Sequence, residues 1–424
     1  MKRNVMFDFK GGSPGFRAGW FLLLGLALLF AFLYLRYSLF PGGIDPSVKQ
    51  YFPLSLAEKA RAFNFPLRVL YIVQFVLEVA LLGWLLLSSK GRSLYSRIRK
   101  VGRHYWSITA LSVISVWILV QLVTLPFSYY GYYWLKIWGF STQSLGAWLM
   151  DYGKNAGIDL LITLVGGLIF FALVNRASRY WWVVGAAFFG IWLVVEYLFW
   201  PILISPLFNH FVPISDPGTI TMINTLAQRA GLHINGIFVM DASKQTTLAN
   251  AYFTGIGSSK RIVIYDTLLH NYSLSEIQAV LAHEMGHWKH GDVIHGLIAG
   301  VLGGFIVCGL LAFFLKPWLP KINQKPPELW AALQLTLLLL LFVSNPIQNA
   351  ISRKMELRAD SFSLQLTGNL SAEIQLQKDL AGTSLADLSP PNFIVWFSYD
   401  HPPVLTRIHA LETEYYRSSA SSKK

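Results

Sequence analysis

Seven long apolar runs, separated by short polar or basic segments, set the order of this chain. Ala18 to Leu35 carries no charge and is closed by Arg36. Val69–Ser89, Tyr105–Phe127, Ala156–Val174, Trp181–Ile204, Val293–Leu315 and Leu329–Val343 follow. Runs of this kind predict helices that cross a bilayer, where every backbone polar group must be satisfied internally. The last run keeps a helical pattern past Asn345 and Pro346, through Asn349 and Arg353, to Leu364. Between spans the pattern predicts a polar loop over 36–68, a basic loop over 90–104 and an aromatic loop at Tyr129–Trp134, read as an interfacial belt. Residues 418–424 read as a disordered tail.

Residues 205–292 break this pattern. Thr219–Leu232 has helical periodicity, with Gly231 at its end. Ile237–Met240, Ala249–Phe253 and Arg261–Tyr265 read as short strands, the last two joined through a Gly/Ser turn at 255–259. A helix with capping-box spacing at Ser273 and Glu276 follows, its apolar stripe formed by Ile277, Val280, Leu281 and Met285. The expected organisation is therefore 1–204 with five spans, 205–292 as a small α+β unit, 293–350 with spans six and seven, and a C-terminal segment over 351–417.

Composition agrees: of 424 residues, 54% are hydrophobic and only 13% charged, about half the charge of a soluble domain. The net charge of +13 is concentrated in short loops between spans, as membrane orientation requires, and no nucleic-acid module accompanies it. Cys308, the one cysteine, excludes both an intrachain disulfide and a thiolate metal site. Glu78, Asp159 and Glu196 lie inside spans, where a carboxylate must be paired within the protein or face water. Gly296, Gly300 and Gly304 form a small-residue stripe in the sixth span.

The chemistry sits in the helix after the strands. His283-Glu284-Met285-Gly286-His287 is a His-Glu-x-x-His motif. On a helix the two histidines share a face and can hold one zinc ion, with Glu284 placed as general base. Such a site needs a third protein ligand and an open position. Glu356 and Asp360, one turn apart, offer a ligand and a hydrogen-bond acceptor for a ligating histidine. The same stretch also suits a surface helix on which Arg353 and Arg358 pair with the carboxylates. His290, His295 and Glu328 lie too close to the first motif or in a loop.

With these residues in place the chain resembles the type I CAAX prenyl endopeptidases, seven-span zinc metalloproteases that release the last three residues of prenylated proteins. More distantly it is similar to the HtpX-type membrane proteases. The resemblance rests on Pro206–Asn209, Asn250–Phe253, Lys260–Val263 with Asp266–Leu269, His283–Lys289, Ser352-Arg353 with Glu356 and Ala359-Asp360, and His401-Pro402-Pro403 with Arg407-Ile408. It implies a mainly α fold, seven helices around a water-filled intramembrane chamber with a small gluzincin-like α+β unit. It implies one zinc per chain on His283, His287 and Glu356, with Glu284 as base. It implies His401 and Arg407 as donors to the oxyanion or to the substrate carboxylate, and Asn250, Ala251, Tyr252 and Phe253 as an edge strand for an extended substrate, unless that strand is an ordinary one. The partners are a peptide or protein substrate, lipidated or not, and the bilayer. A quality-control protease shares this chemistry, and seven spans alone would also suit a transporter or receptor. Short loops favour a bacterial inner membrane over the endoplasmic reticulum. The resemblance places the catalytic side in the cytoplasm, whereas six Lys or Arg and no acid over 90–104 place it outside.

Overall fold

Seven helices long and apolar enough to cross a membrane run through the computed structural model, which describes residues 14–255, 260–316, 319 and 326–421. The N-terminal part comprises α1 (Pro14–Leu39), α2 (Val48–Tyr51), α3 (Leu54–Leu87), α4 (Ser89–Val101), α5 (Tyr105–Ile137), α6 (Leu145–Arg176) and α7 (Trp181–Phe199). The C-terminal part comprises β1 (Phe211–Pro213), α8 (Pro217–Ala230), β2 (Gly236–Met240), β3 (Ala251–Thr254), β4 (Arg261–Tyr265), α9 (Asp266–Asn271), α10 (Leu274–Lys289), α11 (Asp292–Leu315), α12 (Pro326–Thr367), α13 (Leu370–Ser384), α14 (Asn392–Ser398) and α15 (Val404–Ser421). Large apolar side chains stay exposed along the long helices, Phe21 at 70% and Ile306 at 65% among them, as lipid-facing surfaces do.

Several stretches expected to be loops are helical. Half of the 36–68 segment belongs to α3, and the aromatic residues from Tyr129 to Trp134 are the last turns of α5, where the Trp134 indole donates to the Phe63 carbonyl. The basic 90–104 segment folds largely into α4. Ser88 caps it by accepting from the Gly91 amide, and its Tyr95 and Ile98 face is buried while its cations stay out. The tail expected to be disordered from Ser418 is helical to Ser421, because the α15 pattern continues and the Ser418 and Ser419 hydroxyls bond back to the Tyr415 carbonyl, each at 2.8 Å. Residues 422–424 lie outside the described residues. So do most of the 255–259 turn and much of the loop before α12.

The four-stranded sheet has the order β1-β2-β4-β3. β2 and β4 are parallel, and the two outer pairings are antiparallel. β1 was not expected: three residues are too few to show a period-2 pattern. β3 is an edge strand. Behind the sheet, Ile277, Leu281 and Met285 of α10 pack with Ile262 and Ile264 of β4, Ile223 and Leu226 of α8, and Leu268 of α9. The small-residue stripe of α11 admits α7: Gly304 faces Phe189 and Gly300 faces Leu193, while Gly296 meets nothing. Of the carboxylates in spans, Glu78 accepts from Gln74 on its own helix, and Asp159 joins α6 to α5 by accepting from Trp117 and Gln121.

Tertiary contacts fix which loops share a side. Thr142 donates to the Ser243 carbonyl, the Asp45 amide to Ser389, and Tyr51 to Glu412. The loops after α1 and α5 thus lie with the sheet and the C-terminal helices. Arg99 of α4 pairs with Glu328 at the start of α12, on the opposite side.

Candidate metal centre

Three elements bring the candidate ligands and the open histidine together. α10 carries His283, Glu284 and His287, which present donor atoms all within 4.8 Å of one another. The capping box expected at its start is present, Ser273 accepting from the Glu276 amide while Glu276 bonds the Ser273 amide. α12 crosses α10 closely enough that a Cβ on Gly286 would lie 3.0 Å from Ala359 Cα. This approach brings Glu356 between the histidines. Its Oε2 is 3.3 Å from His283 Nε2 and its Oε1 3.4 Å from His287 Nε2, while the two Nε2 atoms are 3.2 Å apart. The turn before α15 adds His401, with Nε2 3.4 Å from Glu356 Oε2.

The outer nitrogens decide what this cluster can hold. His283 Nδ1 faces Asp360 Oδ1 at 2.9 Å, and His287 Nδ1 faces Asp292 Oδ2 at 2.9 Å. Asp292 accepts from His287 Nδ1 and so selects the tautomer that turns the Nε2 lone pair inward, and Asp360 Oδ1, close to His283 Nδ1 though off the line of a good hydrogen bond, favours the same tautomer there. The buried Glu356 Oε2 joins them and has no hydrogen-bond partner of good geometry among the described residues. Lone pairs converging at this distance repel unless a cation sits among them. A tetrahedral zinc ion with bonds of about 2.0–2.1 Å has ligand–ligand edges of about 3.3–3.4 Å, close to the spacing found. The residues present therefore fit a metal held by two histidines and one carboxylate. Titration follows the same logic. Burial works against a charged His283, yet the neighbouring Asp360 and Glu356 carboxylates push its pKa up to about 10, so the surroundings favour positive charge at this ring. Burial raises the Glu284 carboxyl against the pull of His283 and His287, the direction that makes a carboxylate a better proton acceptor.

The expected site residues separate into three groups. His283, Glu284, His287, Glu356 and Asp360 come together as the spacing suggested. Arg358 pairs with Asp292 rather than with Glu356 or Asp360, and Arg353 donates to the carbonyls of Val395 and Tyr399, so the surface-helix arrangement does not form. Glu328 is remote, and the His290 ring packs on Phe362. Arg407 is at the site but not open to it. Its Nε and Nη2 both donate to Asp360, at 2.8 and 2.5 Å, and its side chain is 13% exposed. A buried carboxylate beside His283 needs that cation, and the same Nη2 lies 3.9 Å from Glu356 Oε2, so Arg407 meets the site mainly through Asp360. His401 is the open one: its side chain is 56% exposed and its Nδ1 bonds Asp400. In the third group, Ala251, Tyr252 and Phe253 lie on β3, with Phe253 stacked on Trp288 at 4.4 Å. Asn250 precedes the strand and accepts from the Ala251 amide.

Asp292 is the residue that sequence reasoning missed. It lies five positions after His287, off the shared face of any single helix. Gly291, with φ of +67°, ends α10 and turns the chain so that α11 begins with a carboxylate under the imidazole. A Gly-Asp pair directly after the motif was the available signal.

The profile of peptidase family M48 matches residues 214–415. That of the CAAX prenyl protease N-terminal region, five membrane helices, matches residues 34–210. The uncharacterized metalloprotease YhfN of Bacillus subtilis is 31% identical over 312 residues, covering 70% of this chain and 71% of that one. The chain belongs to peptidase family M48. CAAX prenyl protease 1 of Saccharomyces cerevisiae is 29% identical over 350 residues, 76% of each chain, and the human CAAX prenyl protease 1 homolog is 29% identical over 349 residues, 69% of this chain and 71% of that one. The crystal structure of S. mikatae Ste24p matches with a TM-score of 0.79 at 22% identity, covering 95% of this chain and 100% of the other. At that identity it shows the fold. This M48 peptidase is a multi-pass membrane metalloendopeptidase that resembles the CAAX prenyl proteases, requires a metal cofactor and acts on a peptide or protein.

Proposed function

We propose that this M48 peptidase is a zinc endopeptidase that removes the C-terminal tripeptide of prenylated proteins. The observation that carries the chemistry is the convergence of His283, His287 and Glu356 beside Glu284, with no thiolate available. The substrate class rests on CAAX prenyl protease relatives aligned over most of both chains.

His283, His287 and Glu356 would hold the metal. Zinc supplies a Lewis acid that polarises the scissile carbonyl and acidifies water. Glu284 takes the proton of the attacking water and returns it to the leaving amine. His401, exposed and kept protonated above its ordinary range by its hydrogen bond to Asp400, donates to the developing oxyanion. Arg407 neutralises Asp360, which in turn orients His283. β3 offers its free edge to an extended substrate, so that main-chain bonds at 250–253 position the scissile bond.

We place the catalytic face in the cytoplasm, by resemblance, and the protein in a bacterial inner membrane, from its short loops. The basic face of α4, on the opposite side, argues for the reverse; a reporter fusion at residue 97 reads the side directly. The substrate is tested with a farnesylated CAAX-type peptide beside the same peptide without lipid. Release of the terminal tripeptide from the lipidated peptide alone is expected. Equal cleavage of both sinks the prenyl requirement and favours general membrane proteolysis.

A further inference from the structure

A cation of the second membrane helix is buried against the segment that carries His401. Arg68 stands on α3 where the apolar run of that span begins, and its side chain is only 8% exposed. A guanidinium shut away from water is costly unless it is paired. Arg68 finds two partners in the C-terminal segment, one on each side of α14. Its Nη2 lies 2.8 Å from Asp387 Oδ2, ahead of α14, and donates at 2.8 Å to the hydroxyl of Tyr399, directly after it. Asp387 is itself fixed, its Oδ1 accepting from the Ser389 amide. One cation thus ties both ends of α14 to a membrane helix.

Packing already keeps α14 in place. Ile394 and Phe397 are fully buried, and Phe393 stacks on Tyr37 of α1. What packing does not fix is the chain as it leaves α14. Two residues past Tyr399 stands His401, an exposed side chain met by Asp400, exposed as well, and by Glu356. An exposed ring is aimed only as firmly as the backbone that carries it. That backbone is gripped at Tyr399, by Arg353 at the carbonyl and by Arg68 at the hydroxyl, and Pro402-Pro403 restricts it on the far side.

We propose that Arg68 is a positioning residue for the peptidase reaction: through Tyr399 it holds the turn that aims His401 at the metal centre. The proposal rests on the donor role given to His401 above. It gives the N-terminal membrane region a direct part in shaping the site.

The test is Tyr399→Phe in the full-length, metal-loaded protein. This change removes the hydroxyl but leaves the buried ring and the Arg68–Asp387 pair, so the fold should stand, and unfolding midpoints check that it does. Amide exchange over 399–401 should quicken, while that over 283–287 stays as in the wild type. With peptide substrate, kcat should fall about tenfold at unchanged KM, the size of one charge-assisted hydrogen bond. His401→Ala should lower kcat more, and adding Tyr399→Phe to it should bring no further loss, because the two act as one unit. Arg68→Met should show the same pattern with a larger loss of stability, since it strands Asp387; Tyr399→Phe carries the test if Arg68→Met does not fold. Wild-type exchange over 399–401 in Tyr399→Phe overturns the proposal. So does a full tenfold loss on top of His401→Ala, which would mean that Tyr399 acts elsewhere. Full activity in His401→Ala would remove the donor role and this proposal with it, leaving the metal chemistry intact. Failure to cleave the lipidated peptide contradicts only the prenyl reading, because the exchange measurement and the unlipidated peptide still decide this one.

Discussion

At His283 and His287 the tautomer is decided by the second carboxylate each ring meets. Asp360 and Asp292 play matching parts, yet only one was legible in the sequence. Asp360 follows Glu356 by one helical turn, a spacing that geometry reads directly. Asp292 reaches His287 only because Gly291 adopts a left-handed conformation, and nothing in a helical pattern encodes such a turn. Asp292→Asn should keep the fold and lower metal affinity by about 10–100-fold, measured by chelator competition. Asp360→Asn should cost at least as much, because it also strands Arg407. Glu373 gives the pH dependence. It is 2% exposed, and burial pushes its pKa up to about 7 despite hydrogen bonds from Ser363 and Thr367. A folded-state pKa above the unfolded value means that the folded state binds the proton more tightly. That stability is present below about pH 4.5 and is lost as pH rises through 7. Glu373→Gln should therefore unfold like the wild type at pH 4 and be more stable at pH 8, by up to about 3 kcal/mol. Parallel thermal unfolding of both proteins across that range checks it.

Among the elements, α10 and α12 matter most, and both were readable: one from its cap and apolar stripe, the other from a pattern that runs past the membrane to Glu356. Their contact was not readable. Gly286 inside the motif is a packing residue, since a side chain there meets the α12 backbone. Gly286→Ala should cost about 1–3 kcal/mol of stability, the usual penalty for overpacking, and reduce cleavage by moving Glu356 relative to the histidines. Unfolding and activity measured together would show this, and an unchanged protein would mean that α10 and α12 have slack. The loops misread as irregular, α4 and the last turns of α5, share one cause. Apolar content reports membrane depth, whereas helices here extend into water on amphipathic faces such as Tyr95 and Ile98. β1 escaped notice for the opposite reason: it is too short to carry a period.

Across the whole molecule, seven spans and the sheet-bearing unit followed from hydropathy and turn residues, because a bilayer leaves few alternatives to a helix. α12 runs unbroken across residue 350, from Pro326 past Glu356 to Thr367, so one helix joins the last membrane span to the C-terminal segment. Chain sidedness is internally consistent, with the sheet, the C-terminal helices and the loops after α1 and α5 together and α4 opposite. What binds the molecule into one enzyme is that its membrane helices and its soluble helices meet at Glu356. The most direct measurement is cleavage by purified Glu284→Gln protein, with zinc content determined in the same sample and the wild type beside it. One zinc per chain in both proteins, with activity reduced about a hundredfold or more in the variant, is the predicted result. Undiminished cleavage by the variant, or full activity in zinc-free wild type, would contradict it.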